Sequence, residues 1–462
     1  MLASKISIRA IWTRVKNINS KRREGRRGDE SEELIKETAN DSLMYGTKDL
    51  DDSKTSMVDC QKERELFAVY FNECASEGIT GAGGAGSKKT KVHGIRFIHI
   101  VSSLLQAMNG TMAWLPGAVE SLPLPWLFSF LEWNLRSVGQ VYFCNSPISG
   151  LLILAGIFIQ STRVAVYGLL GLLTGNAVAL GLGFDKSLIS SGLFGYNSIL
   201  CGIAVETFKG SKSHGGYDAS ILSATIAVSM MSVAFFVALA KILAPYKSPP
   251  LTFPFNAATI TFLVAVNVMT GNNHPVTSDF NDNSSQNPIG ISEFFTRGIG
   301  QVYLVNSAVS SACILIGIAL CSRYLALAAF VGSLLGTGFS VLTGAYNIMI
   351  EQGLYGYNSS LTLAAMAIFF VPSVGSFVMG SLAVIFTVLA QYSCDVLFMT
   401  YGLPVMTVPF CVITLAIILV QGTTDIIISV PLSSITIPED HLQRVNILKE
   451  GFQYLFRVYQ GK

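Results

Sequence analysis

The sequence predicts an all-α polytopic membrane protein built from two homologous halves. Charge placement is the first observation behind this. Of 462 residues, 51% are hydrophobic and only 13% charged, and the mean hydropathy is +0.51. Residues 1–95 hold 17 of the 31 Lys+Arg and 15 of the 29 Asp+Glu, which leaves 28 charges for residues 96–462. The second observation is duplication. Gly192-Leu193-Phe194-Gly195-Tyr196-Asn197-Ser198 recurs as Gly353-Leu354-Tyr355-Gly356-Tyr357-Asn358-Ser359, 161 residues later. The same offset aligns Gly139-Gln140-Val141-Tyr142 with Gly300-Gln301-Val302-Tyr303, and 24 of the 60 positions from 139 to 198 match without a gap. Duplicated halves of this kind characterise membrane transport folds.

The opening 95 residues are set apart. Residues 1–27 carry nine Lys/Arg against Glu24 alone, whereas residues 29–65 carry twelve Asp/Glu against five Lys/Arg. Few large apolar residues interrupt either block, so a solvated, disordered region is expected rather than one lying on an anionic leaflet. Lys5, Arg9 and Arg14 interrupt the early apolar residues, so no cleavable signal is expected and insertion falls to the first membrane helix. Gly81-Ala-Gly-Gly-Ala-Gly-Ser87 reads as a hinge. From Arg96 to Trp133 the apolar pattern is broken by Gly110, Pro116, Pro123 and Pro125, which suggests interfacial segments anchored by Trp126 and Trp133.

The hydrophobic body divides at its few charges. Uncharged runs of 26, 21, 22, 25 and 27 residues lie between Arg136 and Arg163, Arg163 and Asp185, Asp218 and Lys241, Arg297 and Arg323, and Arg323 and Glu351. Each is long enough for a membrane helix of about 20 residues. The 43 residues from Glu351 to Asp395 and the 29 from Asp395 to Asp425 must together hold more than one element. None of the runs alternates as a membrane β-barrel strand would. Each half opens with a Glu–Arg pair at i, i+4, Glu132/Arg136 and Glu293/Arg297, expected to be an intrahelical ion pair at the membrane edge.

The expected organisation is a cytoplasmic N-terminal region (1–95), a first membrane repeat with its interfacial lead-in (96–270), an extracellular loop (271–292), a second repeat (293–425) and a cytoplasmic C-terminal tail (426–462). The loop carries Asp279 and Asp282 but no Lys or Arg. A basic N-terminus inside and a base-free loop outside require an odd number of crossings in the first half, which inverts the second half. Asn283-Ser284-Ser285 is the candidate glycosylation sequon; that at Asn358 falls in the repeated core and is expected to be unused.

The chemistry sits in a second repeated motif. Pro249-Pro250-Leu251-Thr252-Phe253-Pro254-Phe255 matches Pro404-Val405-Met406-Thr407-Val408-Pro409-Phe410 at an offset of 155. Proline lacks an N–H and either starts a helix or frees a carbonyl. Thr-x-Pro-Phe in apolar sequence therefore marks a discontinuous helix whose free carbonyls and hydroxyl must face protein or water. A proline-kinked packing helix is the plainer reading, but symmetric recurrence beside the glycine motifs favours a pore. Leu403 to Phe410 fits in full the LPxxTxPF signature of the urea transporter family, which the chain resembles over roughly residues 130–425; the first copy departs only at Ser248.

That resemblance implies a plasma-membrane homotrimer with cytoplasmic termini and one pore per subunit. Each inverted half would hold about five transmembrane helices plus a re-entrant half-helix. The implied function is passive, channel-like urea movement. Carried over by motif, Thr252 and Thr407 would flank the constriction, and Gln140 and Gln301, with Val141 and Val302 beside them, would face the vestibules. Phe143, Tyr196, Leu200, Tyr357 and Leu361 would wall the slots, with Leu304 standing where the repeat would place a second Phe143. Urea is planar and neutral, with four N–H donors and one carbonyl. Flat apolar walls would admit it, and carbonyl and hydroxyl oxygens on one edge would replace its lost water.

The alternatives lack their residues. An aquaporin needs paired Asn-Pro-Ala, and the nearest strings are Asn145-Ser-Pro147 and Asn306-Ser-Ala308. An ammonium channel would place histidines in the pore, but His214 and His274, the only ones between residues 100 and 440, fall in polar loops. An ion-coupled secondary transporter of a small polar solute, the retained alternative, would use carboxylates at membrane depth, for which Asp395 and Glu351 are the candidates. No nucleophile–base pair or metal constellation points to an enzyme, and eight scattered cysteines suggest neither disulfides nor zinc. No cofactor or nucleic-acid partner is expected; the partners are urea, lipid and further copies of the chain.

Overall fold

A computed structural model describes residues 108–210, 217–270, 291–420 and 427–447, with backbone only at 291–295. The N-terminal region, Asn283 and most of the expected extracellular loop therefore lie outside the described residues. After a short helix α1 (Leu115–Glu120), seven elements follow: α2 (Pro125–Gln140), α3 (Pro147–Gln160), α4 (Thr162–Gly181), α5 (Lys186–Ser190), α6 (Gly195–Lys209), α7 (Ala219–Leu243) and α8 (Phe253–Met269). The same seven then recur as α9 (Ile291–Gln301), α10 (Ala308–Cys321), α11 (Arg323–Leu342), α12 (Asn347–Glu351), α13 (Gly356–Phe369), α14 (Val374–Met399) and α15 (Val408–Leu419). The starts of α3 to α6 and of α10 to α13 differ by the 161-residue offset, and those of α7 and α8 from α14 and α15 by 155.

Equivalent caps set equivalent boundaries. Ser161 accepts from Val164 N at the start of α4, and Ser322 does the same for Leu325 N at the start of α11. Asp218 caps α7, and Ser373, with Ser376, forms a capping box on α14. Among the described residues, four helices are long and apolar enough to cross a membrane: 162–181, 219–246, 323–342 and 374–399. The 26- and 25-residue uncharged runs behave differently from expectation. They yield only the 14-residue helices α3 and α10, about 21 Å long. The reason lies just upstream, where Phe143 (φ 59°) and Leu304 (φ 54°) adopt left-handed backbone in a buried turn that spends the first part of each run. A left-handed conformation at a residue other than glycine costs roughly 1–2 kcal/mol, so the surrounding packing must hold it.

The halves meet through reciprocal contacts. Tyr142 donates to Ile299 O at 3.2 Å and Tyr303 donates to Val138 O at 2.8 Å, so each half presents the same tyrosine to the same carbonyl of the other. Between α3 and α10, a Cβ on Gly156 would lie 2.9 Å from Ser310 O, and one on Gly317 would lie 3.1 Å from Ser149 O. Within each half, Gly171 and Gly175 of α4 admit Ser198 of α6, and Gly332 and Gly336 of α11 admit Ser359 of α13. Small residues that let backbones touch are how helices associate where lipid gives no hydrophobic drive.

The repeated glycine motif has a comparable cause. Gly192 (φ 78°) and Gly353 (φ 74°) take positive φ while lying against α2 and α9. A Cβ would come within 2.5 Å of Ser137 N and 2.6 Å of Gly298 N respectively.

The Glu132–Arg136 pair forms at 2.7 Å, and both side chains are buried within the protein. Arg136 also donates to Thr111 O, Asn145 O and Asn145 Oδ1, which satisfies a guanidinium that burial would otherwise penalise. In the second half Arg297 donates to Glu351 O at 3.0 Å; the side chain of Glu293 lies outside the described residues. The C-terminal segment is no free tail over 427–447. Val371 N donates to Ile428 O and Val430 N to Phe369 O, each at 2.8 Å. Further along, the Glu439 carboxylate accepts from Ser322 Oγ and Tyr324 N at the start of α11.

Candidate functional site

Helices α8 and α15, of 17 and 12 residues, each begin inside the protein, directly after a threonine. Thr252 and Thr407 occupy the N-cap positions, with Pro254 and Pro409 in the first turn where a missing N–H costs nothing. Leu251 and Met406 just before them hold left-handed backbone (φ 49° each). That turn aims the two threonines at one another, and their hydroxyls lie 2.7 Å apart, both nearly fully buried. No molecule passes between atoms in hydrogen-bond contact. The threonines therefore form one continuous polar edge rather than flanking a gap.

Two further side chains complete this edge. Asn256 Oδ1 accepts from Thr407 N at 3.2 Å and from Thr407 Oγ1 at 3.1 Å. Cys411, which the 155-residue offset equates with Asn256, lies 3.1 Å from Thr252 Oγ1 and 3.6 Å from Asn256 Nδ2. Among the described residues no carboxylate hydrogen-bonds either threonine, so the edge is polar but uncharged.

The tyrosines of the glycine motif hold this edge from behind. Tyr196 donates to Leu251 O and Tyr357 to Met406 O, the carbonyls immediately before the threonines. Asn358 also donates to Met406 O, at 3.1 Å, while Asn197 Oδ1 instead accepts from Phe255 N at 3.2 Å. Burial of Asn358 agrees with its sequon being unusable. Gln140 and Gln301 make equivalent bonds, each donating at 2.7 Å to the carbonyl of Ser191 or Gln352 just before the glycine motif. Val141, Val302, Leu200 and Leu361 are buried in the surrounding core.

Phe143 packs edge-on against Phe369 and Phe410, at centroid separations of 5.6 and 6.5 Å. Leu304 shares its backbone conformation but not its ring.

The model of the urea transporter family matches residues 131–422, more than half of the chain. Urea transporter 1 of goat (Capra hircus) and of sheep (Ovis aries) are each 33% identical over 328 residues, covering 69% of this chain and 84% of the relative. Urea transporter 1 of rat (Rattus norvegicus) is 32% identical over the same shares. The chain belongs to the urea transporter family. The matched region begins at α2 and ends just after α15, so the family's shared sequence coincides with the duplicated helices.

Of the residues that the family resemblance singled out, the structure brings Thr252, Thr407, Tyr196 and Tyr357 into one hydrogen-bonded group, with Leu200 and Leu361 one turn along from the tyrosines. Gln140 and Gln301, at the ends of α2 and α9, bond to the chain segments that lead into the glycine motifs. Asn256 and Cys411 were missed by reasoning from motifs, because neither belongs to the signature. The 155-residue offset was the signal available: it pairs them one residue after the shared Pro-Phe.

Proposed function

We propose that this chain carries urea passively across a membrane, through a pore along the Thr252–Thr407 edge. Family membership supports the substrate, and urea is the solute named for its relatives. The observation that carries the mechanism is the uncharged pair of threonine hydroxyls at the starts of two half-helices. Urea sheds water from four N–H groups, and hydroxyl oxygens replace it at small cost, whereas an unpaired donor costs about 1–3 kcal/mol. Uncharged oxygens bind weakly enough to release the solute, which conduction requires. Ion coupling finds no support at this edge, since the partners of both threonines are neutral.

The finer reading has the two halves inverted across the bilayer, with five helices and a re-entrant half-helix each. Reciprocal tyrosine contacts across a local twofold support it, because an axis in the membrane plane inverts one half. Gln140 and Gln301 mark the vestibules beside Val141 and Val302, and Phe143 and Leu304 the two unequal slots, walled further by Leu200 and Leu361. The same reading makes the protein a homotrimer of the plasma membrane with both termini cytoplasmic. Residues 1–95 and 426–462 are then inside, 271–292 outside and glycosylated at Asn283, and 96–270 and 293–425 form the repeats. The test is radiolabelled urea flux into proteoliposomes with and without imposed sodium or proton gradients. Saturating flux that ignores both gradients is expected; uptake that needs either gradient, or no flux above protein-free vesicles, overturns the proposal.

A further inference from the structure

The threonine edge has a fixed direction, and the atoms around it determine which. The backbone N–H of Thr407 only donates, so the atom of Asn256 facing it at 3.2 Å is the amide oxygen. That oxygen only accepts, so the Thr407 hydroxyl, 3.1 Å away, spends its single proton on Asn256. Thr407 Oγ1 must then accept from Thr252, 2.7 Å away, which spends the Thr252 proton. Thr252 Oγ1 in turn accepts from the Cys411 thiol at 3.1 Å, and Asn256 Nδ2 faces the Cys411 sulfur at 3.6 Å. The four side chains thus close a ring across the local twofold axis: Asn256 amide to Cys411, to Thr252, to Thr407 and back to the Asn256 oxygen.

We infer that this ring sets the specificity of the pore by making both threonine hydroxyls acceptors only, with Asn256 and Cys411 as the positioning residues. A hydroxyl oxygen has two lone pairs. In each threonine the ring occupies one lone pair and the only proton, leaving one lone pair and no donor for a permeant. The midpoint therefore recognises N–H groups and gives nothing to a solute that needs a donor there. The asymmetry of the repeat is what makes this possible. A second Asn256 in place of Cys411 would offer a competing oxygen to Thr252, and the ring would lose its single direction.

The inference rests on the urea-transport reading and deepens it. Its test compares urea with acetamide, a planar isostere in which one amino group is a methyl, in proteoliposomes of the full chain. Wild type is expected to favour urea. Asn256→Ala frees the Thr407 proton to turn toward the permeant. Urea permeability should then fall about tenfold, the equivalent of about 1.4 kcal/mol, and acetamide less, so that the urea/acetamide ratio drops at least about threefold on the scale of one hydrogen bond. Cys411→Ser, which keeps a donor, should preserve the ratio, and Cys411→Ala should lower it. Should Asn256→Ala fail to assemble, the two Cys411 variants decide alone. Equal loss of both solutes in Asn256→Ala, or indistinguishable ratios for Cys411→Ser and Cys411→Ala, overturns the ring. Absence of urea flux in the wild type would instead overturn the transport reading itself.

Discussion

Tyr142 and Tyr303 make the same bond in opposite directions, whereas Asn256 and Cys411, equated by the same repeat, make different ones. The pattern extends through both halves. Gln140 matches Gln301, Gly192 matches Gly353 and Tyr196 matches Tyr357, in partner as well as in position. Phe143 and Leu304 share a backbone conformation but not a side chain. Residues that hold backbone to backbone are the same in both halves, because both solve the same packing problem. Those at the axis differ between the halves, because Asn256 and Cys411 face each other there instead of solving the same packing problem twice.

The sharpest break of the comparison is at the glycines. Gly192→Ala and Gly353→Ala each force a Cβ against backbone at 2.5–2.6 Å with a φ that L residues avoid. Both should destabilise the protein by at least about 2 kcal/mol, and to similar extents, read as thermal unfolding in detergent. A much milder loss at one of them would show that the halves do not share this contact.

The threonines should separate where the glycines agree. Thr407→Val removes a group bonded to Asn256 and to Thr252, and urea flux should fall about tenfold with assembly intact. Thr252→Val loses the same central bond but only a weak thiol donor beyond it, so about a threefold fall is expected. Unchanged stopped-flow urea permeability in Thr407→Val would remove that residue from the pore. Smaller again is Phe143→Leu, which makes the two left-handed turns alike. It forfeits edge-on contacts worth about 0.5–1.5 kcal/mol each while keeping the turn. Urea flux should change by less than about threefold, with selectivity between urea and bulkier analogues relaxing first. A change as large as that at Thr407 would make the aromatic slot, not the hydroxyl edge, the main barrier.

Much of this was legible in the sequence because duplication repeats a signal. A lone Thr-x-Pro-Phe reads as a kink; two copies beside two glycine motifs locate a site. The positions of several long helices follow from the charge-delimited runs, as between Asp218 and Lys241. Three things did not follow. The shortness of α3 and α10 depends on left-handed turns at Phe143 and Leu304, which nothing in side-chain chemistry announces. The burial of the Glu132–Arg136 pair depends on Thr111 and Asn145 reaching Arg136 from outside its helix. The threonine contact depends on how two helix starts 155 residues apart point, and a motif records spacing rather than direction.

The mildest prediction concerns the C-terminal segment, for which the described first half shows no counterpart. Its backbone bonds Phe369 and Val371, so it braces the helix end whose ring packs on Phe143. Within the segment, His441 Nε2 accepts from Thr436 N at 3.0 Å, which requires a neutral ring. Burial, with Arg444 nearby, lowers its pKa to about 4, against an opposing pull from Glu439. A histidine whose folded pKa is depressed binds fewer protons folded than unfolded. Its contribution is therefore complete above the ordinary value of about 6.5 and is lost as pH falls from there toward about 4. Amide exchange over 427–447 and at 369–371 should rise through that window, while the equivalent end of α6 at 208–210 stays protected. Urea flux should change by less than about twofold, since the threonine edge itself carries no titratable carboxylate or histidine. His441→Gln keeps an acceptor for Thr436 N without a titration and should flatten the exchange profile. If the profile persists in that variant, the pH response does not come from His441, and the brace holds through the Ser322–Glu439 bond rather than through His441.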